Sequence, residues 1–210
     1  MTPTANRLAQ MLLSTEAVQL NPTQPFTWAS GWISHIYCDN RRVLAFPEIR
    51  SFFKTHLIEL VRQHFPQAEA IAGVATGAIA AGALVADAMA LPFCYVRPKP
   101  RDHGMGNQIE GHLQPGSRVV VVEDLISTGS SSLKAVDALR KAGAQVVGMV
   151  ASFTYGFDVA HKAFADADVP LFTLSHYDAL LHEAVAQDYI TADQLPLLAE
   201  WRKCPSEWGK

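Results

Sequence analysis

A run of four valines, followed by two acids and a cluster of small hydroxylated residues, constrains this chain more than any other feature. The valines span Val119–Val122, Glu123 and Asp124 follow, and residues 127–131 read Ser-Thr-Gly-Ser-Ser. Four consecutive β-branched residues are typical of a strand covered on both faces, as in a parallel sheet. Ligands of such sheets bind beyond the carboxyl ends of the strands. The pattern therefore predicts an α/β fold with a binding site at the two acids.

The hydroxylated residues after the acids are suited to bind a phosphate. Ser127–Ser131 leads into a predicted helix, and a helix N-terminus offers unpaired N–H groups and the positive end of the helix dipole. The two carboxylates can face sugar hydroxyls and a divalent cation. No Gly-x-x-x-x-Gly-Lys-Ser/Thr motif occurs, and Gly104-Met105-Gly106 lacks the third glycine of a dinucleotide fingerprint. These observations favour a sugar phosphate over the ligands of an ATPase or a Rossmann dehydrogenase.

The same segment resembles the phosphoribosyl-pyrophosphate (PRPP) signature of the type I phosphoribosyltransferases. That signature is a hydrophobic strand, two acids, two apolar residues and then Ser/Thr-Thr-Gly-Ser/Thr. A buried strand followed by an ordinary capped helix would explain the valines but not two adjacent carboxylates at the strand end. The resemblance implies PRPP binding by Glu123, Asp124, Leu125, Ile126, Ser127, Thr128, Gly129, Ser130 and Ser131.

Composition limits the remaining possibilities. The chain has 210 residues, 49% of them apolar, which is enough for one substantial core and favours a single domain over residues 1–210. With 17 basic and 20 acidic residues and no long basic run, no nucleic-acid partner is predicted. No stretch approaches the roughly 18 apolar residues of a membrane span, so no membrane partner is predicted. The dispersed Cys38, Cys94 and Cys204 argue against a disulfide framework and favour a cytoplasmic localisation.

Apolar periodicity predicts strands that alternate with helices, and this alternation implies a right-handed, mainly parallel α/β sheet flanked by helices. A first amphipathic helix is expected to include Leu8 and Val18, and an irregular aromatic segment is expected at 25–42. Residues from about 46 to 175 should form the core, with a small hood from about 1–45 and the C-terminal helices. Further helices are predicted at 47–65, 78–90, 130–141, 177–186 and 192–201, and strands at 70–75, 93–97, 118–122, 145–153 and 171–174.

A glycine-rich turn follows the first predicted core strand. The residues from Gly73 read Gly-Val-Ala-Thr-Gly-Ala, and glycines at such a turn let backbone N–H groups approach an anion. Alone the pattern is weak, because Gly and Ala are common at strand-to-helix turns. It resembles the family's pyrophosphate loop, and this resemblance implies that Thr76 and Gly77 contact PRPP.

The connection from Tyr95 to Gly111 is long, and its charge is concentrated. Arg97, Lys99 and Arg101 stand close to a single acid, Asp102, within a chain that is acidic overall. Long loops in compact domains are often functional lids, and pyrophosphate is the expected counter-charge.

The family resemblance assigns roles within this connection. Arg97, Arg101 and His103 stand where related enzymes have Arg, a catalytic Lys and His, which implies that they neutralise the leaving pyrophosphate. Arg101 in place of lysine keeps an electrostatic role, whereas arginine does not release its proton at working pH. Glu123 and Asp124 complete the implied catalytic set, with Mg²⁺ held near them through PRPP.

The aromatic segment resembles the N-terminal motif of orotate phosphoribosyltransferases, Ser-Gly-x-x-Ser-x-x-Tyr-x-Asp-x-Arg. Orotate is a flat, carboxylated pyrimidine, so aromatic stacking and a cation suit it. Arg41 and Arg42 are candidates by charge for its carboxylate, while Ala29, Ile33 and His35 depart from common family residues. The motif matches at Ser30, Gly31, Ser34, Tyr37, Asp39 and Arg41, and the orotate contacts expected from the resemblance are Phe26, Tyr37, Arg41 and Ser127.

Together these segments identify the chain as a member of the orotate phosphoribosyltransferase family. The resemblance implies transfer of the phosphoribosyl group of PRPP to orotate in pyrimidine synthesis, Mg²⁺ as cofactor, and a homodimer. Catalysis would rest on positioning and electrostatics, without a covalent nucleophile. Two alternatives stay open: a purine transferase of the same fold and a PRPP-binding regulator without enzymatic activity.

Overall fold

The computed structural model describes residues 2–28, 30–100 and 108–208. The predicted lid residues Arg101 and His103, and the family departure Ala29, lie outside the described residues. In chain order the elements are α1 (Pro3–Ser14), β1 (Val18–Leu20), β2 (Phe26–Thr27), β3 (Ile33–Ser34), β4 (Ile36–Cys38), a 3₁₀ helix (Asn40–Ala45), α2 (Pro47–His64), β5 (Ala70–Val74), α3 (Ile79–Met89), β6 (Phe93–Val96), β7 (Ile109–Gly111), β8 (Arg118–Ile126), α4 (Ser130–Lys141), β9 (Gln145–Thr154), α5 (Asp158–Asp166), β10 (Leu171–His176), α6 (Tyr177–Ala186), a 3₁₀ turn (Ala192–Gln194) and α7 (Leu195–Lys203).

Six strands form the central sheet in the order β10-β9-β8-β5-β6-β7. The first five strands are parallel, and β7 is antiparallel to β6 at one edge. At the centre, Val120 of β8 is paired with Ile71 of β5 on one side and Gly148 of β9 on the other. The predicted mainly parallel α/β sheet flanked by helices is confirmed.

The valines of β8 are divided between the two faces of the sheet because successive strand side chains point in opposite directions. Val120 and Val122 are buried with residues of α2 and α3, whereas Val119 and Val121 are buried with residues of α4 and α5. All four are fully excluded from solvent. Each contributes about 1.5–3 kcal/mol of burial free energy, so the strand that carries the two acids is held by packing on both faces.

The N- and C-terminal segments pack against each other beside this sheet. Helix α1 contacts α6 and β10, and the hydroxyl of Ser175 donates a hydrogen bond to the main-chain oxygen of Ala5 at 2.8 Å. The indole of Trp201 in α7 is fully buried and donates to the main-chain oxygen of Ile33 at 3.0 Å. No helix in the described part of the chain is both long and apolar enough to cross a bilayer.

Trp201 joins the two terminal segments, so its replacement should destabilise the protein strongly. Trp201→Ala is expected to lower the free energy of unfolding by about 3–5 kcal/mol, because it leaves a large cavity and an unpaired carbonyl. Leu197 lies on the same helix but is 36% exposed, so Leu197→Ala should cost less than about 1 kcal/mol. Urea denaturation measures both; equal losses would contradict this account of the packing.

Several boundaries differ from those predicted. Strand β8 runs four residues beyond Val122 to Ile126, because β9 continues to pair with it as far as Thr154. The two acids therefore lie within the strand and not after it. The predicted strand 171–174 likewise continues to residue 176. The predicted helix 192–201 is a 3₁₀ turn followed by α7, in which proline occupies the first turn.

The N-terminal third contains strands where a helix end and an irregular segment were predicted. Helix α1 ends at Ser14, and Val18 begins β1, which pairs with β4. Strands β2 and β3 form a second two-stranded pair. The long connection after β6 contains β7, and the backbone N–H of Arg97 donates to the oxygen of Gln108 at 2.8 Å. The two ends of the predicted lid are thus held side by side.

Candidate active site

The ends of β5 and β8 enclose a cavity of about 290 Å³. Its wall contains the N-terminal end of α4, where Gly129 takes a left-handed conformation (φ 79°) and precedes the first helical residue. A Cβ at this position would lie 2.7 Å from the ring of Phe164, so both conformation and space favour glycine. The lining residues are Val74, Ala75, Thr76, Gly77, Glu123, Asp124, Leu125, Ser127, Thr128, Gly129 and Ser131.

Glu123 is the buried member of the acid pair, with 4% of its surface exposed. One carboxylate oxygen accepts from Ser132 Oγ at 2.8 Å, and the other accepts from the backbone N–H of Asp124 at 3.0 Å. Burial, and then the neighbouring Asp124 carboxylate, raise the pKa of Glu123 well above its usual value. Glu123 therefore fixes the end of the strand and the start of α4 relative to each other.

Asp124 is less buried and faces the loop after β5. A Cβ on Gly77 would overlap the Asp124 carboxylate, so this loop can approach the acid only with glycine at that position. The main-chain oxygen of Asp124 accepts a hydrogen bond from Asn40 Nδ2 at 2.6 Å. The acid is therefore held between the glycine-rich loop and the 3₁₀ helix.

A second cavity of about 360 Å³ adjoins the first and has aromatic walls. The rings of Trp28 and Tyr155 stack with their centroids 5.2 Å apart and their planes 28° apart. Ser127 and Leu125 line both cavities. The residues around the second cavity are Thr27, Trp28, Tyr37, Cys38, Leu125, Ser127 and Tyr155.

Two ionisable groups of the aromatic cavity, Cys38 and Tyr155, have a raised pKa and stay neutral at ordinary pH. Burial, followed by the charges of Asp124 and Asp39, raises the pKa of the Cys38 thiol well above its usual value. Burial also raises the pKa of the Tyr155 phenol. The described lining of this cavity contains no acidic side chain. A flat ring can therefore bind there with no carboxylate among the described lining residues, and the nearby negative charges are those of Asp124 and Asp39, which act on Cys38.

Two predicted cations lie beside the cavities and already contact acids. Arg41 binds Asp39 through Nε at 2.6 Å and Nη2 at 2.9 Å, and this contact lowers the pKa of the Asp39 carboxyl. Arg97 lies 3.6 Å from Glu110 and lines a cavity of about 460 Å³ with Lys99 and Lys134. Basic side chains are thus concentrated where the first cavity opens toward the predicted lid.

Comparison with known proteins agrees with this geometry. Residues 49–179 match the phosphoribosyl transferase domain family. The orotate phosphoribosyltransferase of Bacteroides fragilis is 58% identical over 200 residues, which cover 95% of this chain and 94% of that protein. The chain belongs to the orotate phosphoribosyltransferase family. Phosphoribosyltransferases are enzymes of the glycosyltransferase type. The family membership predicted from the motifs is confirmed.

Two solved structures have the same fold as this chain. The orotate phosphoribosyltransferase of Aeropyrum pernix superposes with a TM-score of 0.75 at 32% identity. The match covers 84% of this chain and 97% of the Aeropyrum chain. UMP synthase of Leishmania donovani superposes with a TM-score of 0.77 at 28% identity. That protein is longer: the match covers 94% of this chain but only 42% of the Leishmania chain.

The structure brings most of the predicted site residues together. The predicted PRPP residues of the signature and of the glycine-rich loop surround the first cavity, apart from Ile126, which is fully buried, and Ser130, which lines the cavity of Arg97. Tyr37 and Ser127 line the aromatic cavity, as expected for orotate contacts. Phe26 instead lies behind Tyr37, with ring centroids 5.8 Å apart, and Arg41 lies beside Asp124 in a separate small cavity.

Sequence reasoning missed several residues of these cavities. Trp28 and Cys38 lay within the recognised aromatic segment, but nothing in their spacing showed which side chains face a cavity. Tyr155 directly follows β9, more than 100 residues along the chain from the aromatic segment, so only the folded structure brings it to this cavity. Asn40 had no sequence signal beyond its place between Asp39 and Arg41.

Proposed function

We propose that this chain transfers the 5-phosphoribosyl group of PRPP to orotate, giving orotidine 5′-monophosphate and pyrophosphate in de novo pyrimidine synthesis. The observation that carries the proposal is the junction of two unlike cavities at Ser127 and Leu125. One is lined by hydroxyls, glycines and acids, and the other by aromatic rings. A phosphorylated sugar and a flat base bound in these cavities would meet at this junction.

PRPP would occupy the first cavity. The N–H groups and hydroxyls of Ser127–Ser131 would bind the 5-phosphate, because a helix N-terminus favours an anion. Asp124 would face the ribose hydroxyls and the positive charge that develops on the ribose ring. Thr76 and Gly77 would bind the pyrophosphate, with Arg97, Arg101 and His103 contributing positive charge. Catalysis would therefore depend on orientation and electrostatic stabilisation.

Orotate would lie in the aromatic cavity. Contact with Trp28 suits a flat ring, and Tyr155, which is 2% exposed and stacks on Trp28, supports the Trp28 ring within the wall. The Ser127 hydroxyl is placed to contact both the base and the sugar phosphate. Tyr37 would form part of the same wall, with Phe26 supporting it from behind. Arg41 and Arg42 remain candidates for the orotate carboxylate, although Arg41 already contacts Asp39 and Arg42 contacts Glu16.

Mg²⁺ is the proposed cofactor, and the donor set fits a metal shared with the substrate. Among the described residues no group of three or more His, Cys, Asp or Glu could hold a metal ion alone. A carboxylate, substrate phosphates and water are ligands that Mg²⁺ prefers. The Asp124 carboxylate lines the cavity, while both oxygens of Glu123 are already hydrogen-bonded. When bound, the ion would neutralise charge on the pyrophosphate, and Asp124, the more accessible acid, would be the main protein contact.

We further propose a cytoplasmic homodimer in which the connection after β6 acts as the lid. The family resemblance implies that this connection, whose ends are paired through β6 and β7, reaches the neighbouring subunit's site. This part of the proposal rests on family resemblance and on the cationic residues that the lid contains.

The decisive experiment follows the near-ultraviolet absorbance of orotate after the protein is mixed with PRPP and Mg²⁺. The wild type is expected to consume orotate, and Arg101→Lys is measured beside it. Turnover by the wild type would show that arginine suffices in the lid. Turnover by the variant alone would mean that the sites are correctly assigned but that this chain has lost its chemistry. No turnover by either protein would contradict the proposal, and competition binding with purines would then test the purine alternative.

A further inference from the structure

Asn40 is a buried polar residue that the proposed reaction does not yet use. It begins the 3₁₀ helix after β4 and has 4% of its surface exposed. Cys38, which precedes Asn40 by two residues, lines the aromatic cavity, and Tyr37 also lines it. Asn40 thus lies directly behind the wall of the proposed orotate site.

Its side-chain amide makes one hydrogen bond toward each proposed substrate site. The Cys38 thiol donates to Asn40 Oδ1 at 3.3 Å, and Asn40 Nδ2 donates to the main-chain oxygen of Asp124 at 2.6 Å. These bonds run from the aromatic wall to the residue that would face the ribose. In the described structure this link spans 84 residues of sequence.

The strand end that carries Asp124 has limited support from the sheet on one side. Strand β5 pairs with β8 only as far as Val122. Beyond Val122, where β5 no longer pairs with β8, the Asn40 amide donates a hydrogen bond to the main-chain oxygen of Asp124. A buried amide with both its oxygen and its nitrogen engaged is a rigid connection, because breaking either bond leaves a desolvated polar group.

We propose that Asn40 is a positioning residue that holds the aromatic cavity in register with Asp124. It touches neither substrate in this assignment, and it fixes the distance between the places where the base and the ribose bind. The inference rests on the proposed function, since it assumes which substrate occupies each cavity. A ligand that spans both cavities should depend on Asn40 more than a ligand that fills only one.

Calorimetric binding to three ligands tests this without any turnover. Orotate fills the proposed base site, ribose 5-phosphate fills the proposed sugar-phosphate site, and orotidine 5′-monophosphate spans both. In Asn40→Ala the dissociation constant of the spanning ligand is expected to rise about tenfold or more, which corresponds to about 1.4 kcal/mol. The constants of the two smaller ligands should each change less than about threefold.

Two further sets of variants separate positioning from general stability. Ser175→Ala removes another buried bond from a side chain to a main-chain oxygen, at a residue that lines neither cavity, and should lower the melting temperature without changing the three constants. Cys38→Ala should weaken the spanning ligand more than orotate, whose proposed cavity Cys38 also lines, whereas Cys38→Ser, which keeps a donor for Asn40, should restore binding of the spanning ligand. The Cys38 pair also tests the inference if Asn40→Ala does not fold.

The outcomes distinguish the inference from the proposed function. If the wild type binds none of the three ligands, the proposed function fails. If the wild type binds all three, and Asn40→Ala weakens them equally or not at all, the positioning role is wrong while the proposed function stands. Equal behaviour of Cys38→Ala and Cys38→Ser would also overturn the role of the hydrogen-bonded link.

Discussion

Gly77→Ala is expected to lower kcat/KM for PRPP by about 10²–10³-fold, with little loss of stability. The added methyl group would overlap the Asp124 carboxylate and displace it from the cavity. An electrostatic contact that acts on the transition state is worth about this factor. Gly77 does not have a left-handed φ, so alanine is compatible with its backbone. Steady-state kinetics and thermal denaturation of the same preparation measure the two effects.

A double-mutant cycle checks that the loss acts through Asp124. Asp124→Ala alone should reduce kcat/KM to a similar extent and should also remove the overlap. Adding Gly77→Ala to Asp124→Ala should then cost little more, because the two changes remove the same contact. Independent, multiplicative losses would mean that Gly77 acts through its own backbone contact with PRPP. Asp137→Asn, on the exposed surface of α4, is the matched control and should leave kcat/KM unchanged.

Glu123→Gln is expected to stabilise the substrate-free protein at neutral and alkaline pH. The buried carboxyl has a pKa raised by burial and by the charge of Asp124, so its ionisation opposes folding. Glutamine can keep both contacts of Glu123, since its oxygen can accept from the Asp124 N–H and its nitrogen can donate to Ser132. Each kcal/mol gained should raise the melting temperature by about 2–4 °C in a chain of this size.

The pH dependence of the Glu123→Gln effect has a definite sign. Below the ordinary glutamate pKa of 4.5, the carboxyl is protonated in both folded and unfolded chains, so the variant gains nothing. As the pH rises above that value, the unfolded chain ionises first and wild-type stability falls, at about 1.4 kcal/mol per pH unit until the folded carboxyl also ionises. Melting temperatures between pH 4 and 8 measure this gap. Glu200→Gln, at an exposed ion pair, should show no such trend, and a gap that narrows with rising pH would refute the assignment.

The core of the fold could be predicted from sequence because its signals are local. The helix Ser130–Lys141 agrees with its predicted bounds, since Gly129 and Gly143 mark its two ends. The central strand was recognised from its β-branched residues. Its end was placed too early, because polar residues usually leave a strand, whereas β9 continues to hold Glu123 and Asp124 in the sheet.

The parts that could not be predicted depend on contacts between distant segments. The pairing of β1 with β4 has no composition signal, and β7 is a three-residue strand within a glycine-rich connection. The same holds for the site. The signature and the glycine-rich loop were found as motifs, whereas the approach of Trp28 to Tyr155 and of Asn40 to Asp124 required the folded chain.

The stacking of Trp28 on Tyr155 also makes the aromatic cavity observable by its own emission. Trp28 lines this cavity, whereas Trp201 is fully buried beneath it and donates to the backbone. A ring that enters the cavity would change the surroundings of the Trp28 indole and quench or shift its fluorescence. Binding at this site can therefore be followed in the unlabelled protein, and Trp28→Phe identifies the part of the signal that comes from the cavity.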